Sequence, residues 1–283
     1  MASSTVQKRS LIGVSPYPHR VSAELTPDTR MTSKAYLDSR VPIAFAHRGA
    51  HDGVGVIENT MTAFSAAIDL GYRYIETDAH STSDGVVVAF HDDRLDRVTD
   101  RTGLIRELPW SEVRAARVGE DDHVPLLEEL LGTWPEVRVN IDPKHDSVIE
   151  PLIGVLERAG AIERVCIGSF SDRRIDRVRR ALGPRLCVGL GPVAIARLRL
   201  GSIGVPVGRI AGDCAQVPTK QGPVRLVDER FVRAAHRRGM QVHVWTVDEP
   251  AEMDRLLDLG VDGIMTDRAG TLREVLARRG AWP

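Results

Sequence analysis

The sequence is short of cysteine, of aromatic residues and of net charge, and each shortage removes a class of protein. Three cysteines in 283 residues, Cys166, Cys187 and Cys214, form no CxxC pair and no zinc-finger spacing. So sparse and odd a set excludes a disulfide framework and points to a reducing compartment, with each thiol acting as a small buried hydrophobe. A formal net charge of −1 leaves no global field to hold nucleic acid or an anionic membrane surface. Any anion site in this chain has to be a local concentration of Arg, Lys and metal. No run nears the ~20 apolar residues that a membrane-spanning helix needs. Lys8 and Arg9 have no apolar core behind them, so no signal peptide is expected. The expectations are a cytoplasmic protein without integral membrane association, and no nucleic-acid partner.

What is present is the composition of a soluble globular protein, 42% hydrophobic and 27% charged. The length slightly exceeds that of one β/α barrel. Residues 1–40 are rich in Ser, Thr, Pro and charge, show no sustained period and read as an arm or cap. From residue 41 to 283, short β-like runs alternate with helical segments that stop at glycine, the pattern of a βα repeat with a parallel sheet. The first strand, 43–46, leads to a helix over 60–70 with Asn59 as its N-cap and Gly71 as its stop. A second strand over 74–80 is followed after Ser83-Asp84-Gly85 by another apolar run, 86–90. That gap is too short for a parallel crossover, so the pair is a hairpin that returns His91-Asp92 toward the end of strand two.

Further strands are expected over 137–141, 165–167, 186–190, somewhere in 209–217, 241–247 and 263–266. With the hairpin set aside, eight parallel strands remain, the number that a closed (β/α)8 TIM barrel requires. An open doubly wound sheet is disfavoured, because no Gly-rich dinucleotide fingerprint follows strand one.

Catalytic groups in such barrels sit at the C-terminal ends of the strands. Strand one ends in His47-Arg48-Gly49. Strand two ends in Glu76-Thr77-Asp78, and side-chain alternation turns both carboxylates into the barrel mouth. Two like charges so close repel unless a cation or a shared proton relieves them. The third unit repeats the pattern, with Asn140, Asp142 and Lys144 on the face opposite Val139 and Ile141. Asp142 adds a third hard oxygen ligand suited to Mg²⁺ or Ca²⁺, and Lys144 a charge suited to phosphate. His91 brings a second imidazole, and two imidazoles flanking a metal suit acid–base work near neutral pH. Trp245 either fills the barrel core or walls the carbon skeleton of a ligand.

In order along the chain stand His47-Arg48-Gly49, Glu58-Asn59-Thr60, Glu76-x-Asp78, Thr82-x-Asp84-Gly85, His91-Asp92, Val124-Pro125-Leu126-x-Glu128-Glu129, Asn140-Ile141-Asp142-x-Lys144, Ser169-Phe170, Trp245-Thr246 and Thr266-Asp267. At these spacings the set resembles the glycerophosphodiester phosphodiesterase family, of the phospholipase C-like barrel superfamily, from residue 43 to the end. The resemblance implies hydrolysis of a small-molecule glycerophosphodiester to sn-glycerol 3-phosphate and an alcohol. It implies His47 and His91 as the acid–base pair, and Glu76, Asp78 and Asp142 as ligands of one divalent metal ion, Mg²⁺ or Ca²⁺. Arg48 and Lys144 would hold the phosphate, Trp245 would line the glycerol side, and Glu58 would contact the substrate or directly support the residues that do; residues of about 93–123 would match the small insertion between the hairpin and the next helix.

Two departures stand out. Ile57 occupies a position where the family usually has proline, and Asp142-Pro143-Lys144 replaces the usual Glu-x-Lys. The shorter Asp142 also resembles sphingomyelinase D-type enzymes, which leaves phospholipase D-like cleavage of a lysophospholipid or sphingolipid as an alternative. A non-catalytic phospho-ligand-binding barrel is a third reading. Retention of both histidines and all three acidic positions argues against it.

Overall fold

The first strand sets the rule for the whole molecule. In β1 (Ile43–His47), Ile43 and Phe45 turn inward while Ala44 and Ala46 face the helices, where small side chains let a helix approach. The same alternation runs through β2 (Tyr74–Ser81), β3 (Arg138–Pro143), β4 (Val165–Ile167), β5 (Cys187–Val188), β6 (Cys214–Pro218), β7 (Gln241–Trp245) and β8 (Gly263–Thr266). This computed structural model describes residues 34–53, 55–222 and 224–282.

Parallel pairing joins β1 to β2 and β8, and continues through β2–β3, β3–β4 and β4–β5 on one side and β8–β7 and β7–β6 on the other. The last seam, β5 to β6, is one parallel bridge between Gly189 and Cys214, so the eight strands form a nearly closed TIM barrel. Outside it lie α1 (Met61–Asp69), α2 (Leu127–Thr133), α3 (Ile149–Arg158), α4 (Asp172–Leu182), α5 (Pro192–Ser202), α6 (Glu229–His236), α7 (Pro250–Asp258) and α8 (Ala269–Arg278). Closure leaves no long strand edge for another chain to pair with.

The expected hairpin is present: Val87–Ala89 runs antiparallel to β2, with Ala79 opposite Ala89. Two strands come out shorter than expected: β5 spans only Cys187–Val188 of 186–190, and β7 ends at Trp245 instead of 247. β6, expected somewhere in 209–217, is Cys214–Pro218.

Two hydrophobic layers lie between sheet and helices, and the barrel interior is separate from both. At the base, Phe45, Tyr74, Cys166, Cys187, Cys214 and Met265 fill the lumen, and the turn Ala35–Leu37 closes it from below with Tyr36 and Leu37. The Tyr74 hydroxyl donates to Tyr36 O at 2.8 Å, and Gln241 donates to Leu37 O at 2.9 Å. Of the expected arm over residues 1–40, residues 1–33 lie outside those described.

The insertion carries its own apolar cluster, in which Leu95, Ile105, Val113 and Val118 pack on Val88 and Phe90 of the hairpin. It is therefore a fixed shoulder on the rim, which places Arg97 beside the site.

Candidate active site

The β1–α1 connection is held in an unusual conformation. Among the described residues, Arg48 (φ 57°) and Asn59 (φ 56°) are the non-glycine positions in the left-handed region, and both serve the site. Arg48 N donates to Glu76 O at 2.9 Å, and Asn59 N donates to Arg48 O at 2.9 Å. Gly49, at φ 87°, presses on α1 so closely that a Cβ would lie 2.6 Å from Ala63 C. The N-cap of α1 is Thr60, which accepts from Ala63 N at 3.1 Å, one residue later than expected. Asn59 is thereby free to donate to Asp78 Oδ2 at 3.0 Å while accepting from Thr77 Oγ1 at 2.7 Å.

Glu76 and Asp78 face inward from β2, and Asp142 lies beside Asp78 in the β2–β3 register. Glu76 and Asp78 are only 4% and 1% exposed. The nearby cations are Lys144, with Nζ 2.7 Å from Asp78 Oδ1 and 2.9 Å from Asp142 Oδ2, and Arg48, with Nε 3.2 Å from Asp78 Oδ2. That Arg48 contact is an ion pair without hydrogen-bond alignment. Arg48 Nη1 instead donates to both oxygens of Glu58 at 3.1 Å.

The charges do not balance. Burial and then the like charge of Asp78 push the Glu76 carboxyl up to about 7, against the pull of His47, Arg48 and Lys144. Burial also raises Asp142 despite Lys144. Burial works against Asp78 too, but Lys144 and Arg48 outweigh it and hold that carboxyl down. In chemistry, buried, hard, oxygen-only donors short of positive charge suit a divalent cation of the Mg²⁺ or Ca²⁺ kind, but here Lys144 Nζ bridges Asp78 and Asp142 and the three carboxylates do not converge on one point.

The two histidines stand on the same rim. His47 Nδ1 lies 2.6 Å from Asp267 Oδ1, and its Nε2 lies 3.7 Å from Glu76 Oε2. His91 Nδ1 lies 2.6 Å from Asp92 Oδ1. A carboxylate can only accept, so each Nδ1 carries the proton and each Nε2 is left to the cleft. Burial lowers the His47 pKa, but Glu76 and Asp267 outweigh it and the net shift is upward.

The expected residues thus come together, with one distinction of place. His47, Arg48, Glu76, Asp78, His91, Asp142, Lys144 and Trp245 all line one cleft of about 550 Å³. Glu58 stands behind it, supporting Arg48. Trp245 lies in the wall with its ring edge-on to Phe170 at 5.7 Å.

Four supports went unassigned in the sequence. Asp267 and Asp92 sit inside quoted motifs, and adjacency to a strand-end histidine was the available signal for Asp92. Arg97 donates to Asp92 Oδ2 at 2.6 Å and also to Glu58, a link across 39 residues that no local pattern announces. Gln216 donates to Asn140 Oδ1 at 2.8 Å under the site, and Gly168 leaves it room, because a Cβ there would lie 2.7 Å from Gln216 Oε1.

Comparison with known proteins agrees with this fold. The chain is 45% identical over 245 residues to a Mycobacterium tuberculosis protein named "Probable glycerophosphodiester phosphodiesterase 2", covering 85% of this chain and 92% of that one. It is 30% identical to a human lysophospholipase D, over 82% and 85% of the two chains. An Oleispira antarctica phosphodiesterase solved with the product sn-glycerol-3-phosphate has the same fold, with a TM-score of 0.68 at 21% identity, covering 84% and 97%. The glycerophosphoryl diester phosphodiesterase family profile matches residues 47–271, and the chain belongs to that family.

Proposed function

We propose that this glycerophosphodiester phosphodiesterase holds one divalent metal ion on Glu76, Asp78 and Asp142 and cleaves its substrate by acid–base catalysis shared between His47 and His91. The observation that carries the proposal is the shared rim: three carboxylates, two of them under-compensated, two phosphate-seeking cations and two imidazoles anchored through Nδ1 face one cleft. When bound, the metal supplies Lewis-acid stabilisation of charge on the phosphoryl oxygens.

The chain's own groups do the rest. Arg48 and Lys144 bind non-bridging phosphate oxygens, and Glu58 fixes the Arg48 guanidinium for that task. One imidazole Nε2 takes the proton of the nucleophile, either water or the glycerol hydroxyl next to the ester. The other gives a proton to the departing alkoxide as its bond to phosphorus breaks. Asp267 and Asp92 hold the two rings in the tautomer these transfers need. A reducing, cytoplasmic setting suits the three unpaired cysteines, and among the described residues no helix is long and apolar enough to cross a membrane.

The test is hydrolysis of glycerophosphocholine with Mg²⁺, with Ca²⁺ and with EDTA. Release of choline and sn-glycerol 3-phosphate with metal, and none with chelator, is the expected result. Full turnover in a chelated, metal-free sample would overturn the metal assignment.

One observation favours a second substrate class. Opposite the charged rim, Phe170, Leu190, Ile195, Val217, Leu226 and Trp245 form an apolar wall. Such a wall favours a diester that carries an alkyl or acyl chain, such as a lysophospholipid. If kcat/KM for lysophosphatidylcholine exceeds that for glycerophosphocholine, this second reading takes precedence.

A further inference from the structure

Below the catalytic layer the barrel holds a second cluster of reactive groups that phosphodiester chemistry does not use. Cys166, Cys187 and Cys214 come from three successive strands, β4, β5 and β6, and all turn inward. Parallel register sets Cys166 beside Cys187, and the Gly189–Cys214 bridge brings in the third. The three sulfurs lie within 4.8 Å of one another, with Cys166 Sγ and Cys214 Sγ 3.8 Å apart. All three are free thiols with no solvent exposure.

One buried cysteine is a small hydrophobe, but three thiols aimed at one point offer a ligand set. With metal–sulfur bonds of about 2.3 Å, neighbouring sulfurs around a tetrahedral ion stand ~3.8 Å apart. The Cys166–Cys214 pair already has that spacing. The donors are all soft, in contrast to the all-oxygen set at the barrel mouth, and soft thiolates select thiophilic ions. His243 is also fully buried inside the barrel, on β7, but its Nε2 is engaged by Gln241 Oε1 at 3.0 Å.

The strand seam beside the cluster is the least paired in the barrel. β5 is two residues long, and its seam with β6 is one bridge, reinforced where Asp213 Oδ2 accepts from Val188 N at 2.9 Å. A cleft of about 620 Å³ opens against that seam, lined in part by Val188 and Asp213, the chain neighbours of Cys187 and Cys214.

We propose that Cys166, Cys187 and Cys214 form a trithiolate site for one thiophilic divalent ion of the Zn²⁺ and Cd²⁺ class, loaded through the β5–β6 seam and distinct from the oxygen site at the mouth. Loading replaces the thiol protons: each sulfur that arrives protonated releases one proton to solvent as its bond to the ion forms. The complex of three thiolates and a divalent ion carries a single negative charge. No oxidant is required.

The probe is Cd²⁺, added in the presence of excess Mg²⁺ and a non-coordinating reductant, to the native protein and during refolding. The readout is the thiolate-to-cadmium charge-transfer absorption, which oxygen ligands do not produce. The expected result is a rise that breaks at one Cd²⁺ per chain, absent in Cys187→Ser and Cys214→Ser variants whose far-ultraviolet circular dichroism is unchanged. Mg²⁺-supported hydrolysis by Cys187→Ser, a residue away from the cleft, should persist. A wild-type protein with no such band, either native or refolded with Cd²⁺, would overturn the proposal without recourse to any variant. So would an unchanged break in Cys187→Ser. The three thiols would then be barrel filling alone.

Discussion

His47 turns its Nδ1 onto Asp267 Oδ1 at 2.6 Å, joining the end of β1 to the residue that follows β8, 220 positions away in sequence. The first and last strands of the barrel pair along a parallel ladder, so the orientation of the His47 ring depends on that pairing. His51 Nε2 reaches the same oxygen from 3.2 Å. On the other side, Asp92 performs the same service for His91 from the adjacent position in the chain.

Replacing Asp267 by Asn should lower kcat by roughly 10²-fold or more, because an amide can hold the ring in the wrong tautomer. The stability effect has a pH signature. Burial opposes ionisation of Asp267, but hydrogen bonds from His47 and His51 hold its carboxyl well below the ordinary range. Its contribution is therefore present above the unfolded value of ~3.9 and lost as pH falls through the folded one. The His47 pKa is raised, so that contribution is present below ~6.5 and lost as pH rises through the folded value. The excess in Tm of wild type over Asp267→Asn should thus be greatest between about pH 4 and 6.5. A Tm difference that does not vary with pH would remove the ion pair from the account.

Arg97 is half-exposed, yet it ties Asp92 to Glu58 and so couples the His91 support to the Arg48 support. Arg97→Gln should cost little stability, ~1 kcal/mol or less for so exposed a pair. It should lower kcat more than it raises KM, because it loosens groups that act in the transition state. If Arg97 works through Asp92, the double variant Arg97→Gln/Asp92→Asn should be little slower than Asp92→Asn alone. Additive losses would mean that the two act independently.

Much of this could be read from the residues in order. β2 and β3 each alternate carboxylate or amide with aliphatic side chains, and the period of two alone placed Glu76, Asp78, Asn140 and Asp142 on the inner face. The short Ser83-Asp84-Gly85 gap likewise specified a hairpin and therefore the position of His91. What the pattern could not give was long-range partnership. Asp267 and Arg97 look like ordinary polar residues until the barrel closes and the insertion folds. The N-cap was misplaced for a similar reason: Asn59 and Thr60 are both good caps locally, and a tertiary contact with Asp78 decided between them. The shortness of β5 was hidden because 186–190 is apolar throughout, while only two of its residues find ladder partners.

Asp142 lies beside Asp78 in the β2–β3 register, and its neighbour Lys144 already neutralises part of its charge. Asp142→Asn should raise the metal concentration for half-maximal activity by at least ~10–100-fold, the range seen even for residues that merely support metal ligands. It should also abolish most of the metal-dependent rise in Tm, because stabilisation by a ligand follows its affinity. Asp142→Glu should retain metal dependence. Wild-type metal affinity in Asp142→Asn would exclude this residue from the ligand set.

The division of labour between the two histidines is open to a sharper experiment. Replacing either His47 or His91 by Ala should lower kcat by roughly 10²–10⁴-fold on glycerophosphocholine, the range for a positioned proton-transfer group. The losses should not add in the double variant, since groups that work as a unit fail together. The metal should still bind to both single variants, because neither imidazole belongs to the proposed ligand set. A diester with a p-nitrophenolate leaving group then separates the roles, because that anion departs without being protonated. The variant lacking the general acid should regain most of its rate on this substrate, and the variant lacking the base should not. His47, anchored by Asp267 and lying 3.7 Å from Glu76, is tied directly to the carboxylate cluster. His91 is anchored by Asp92 on the hairpin side and is more exposed. Equal rescue of both variants, or near-normal kcat in His91→Ala on the natural substrate, would leave His91 as a structural residue at the end of the hairpin and reduce the acid–base pair to His47 alone.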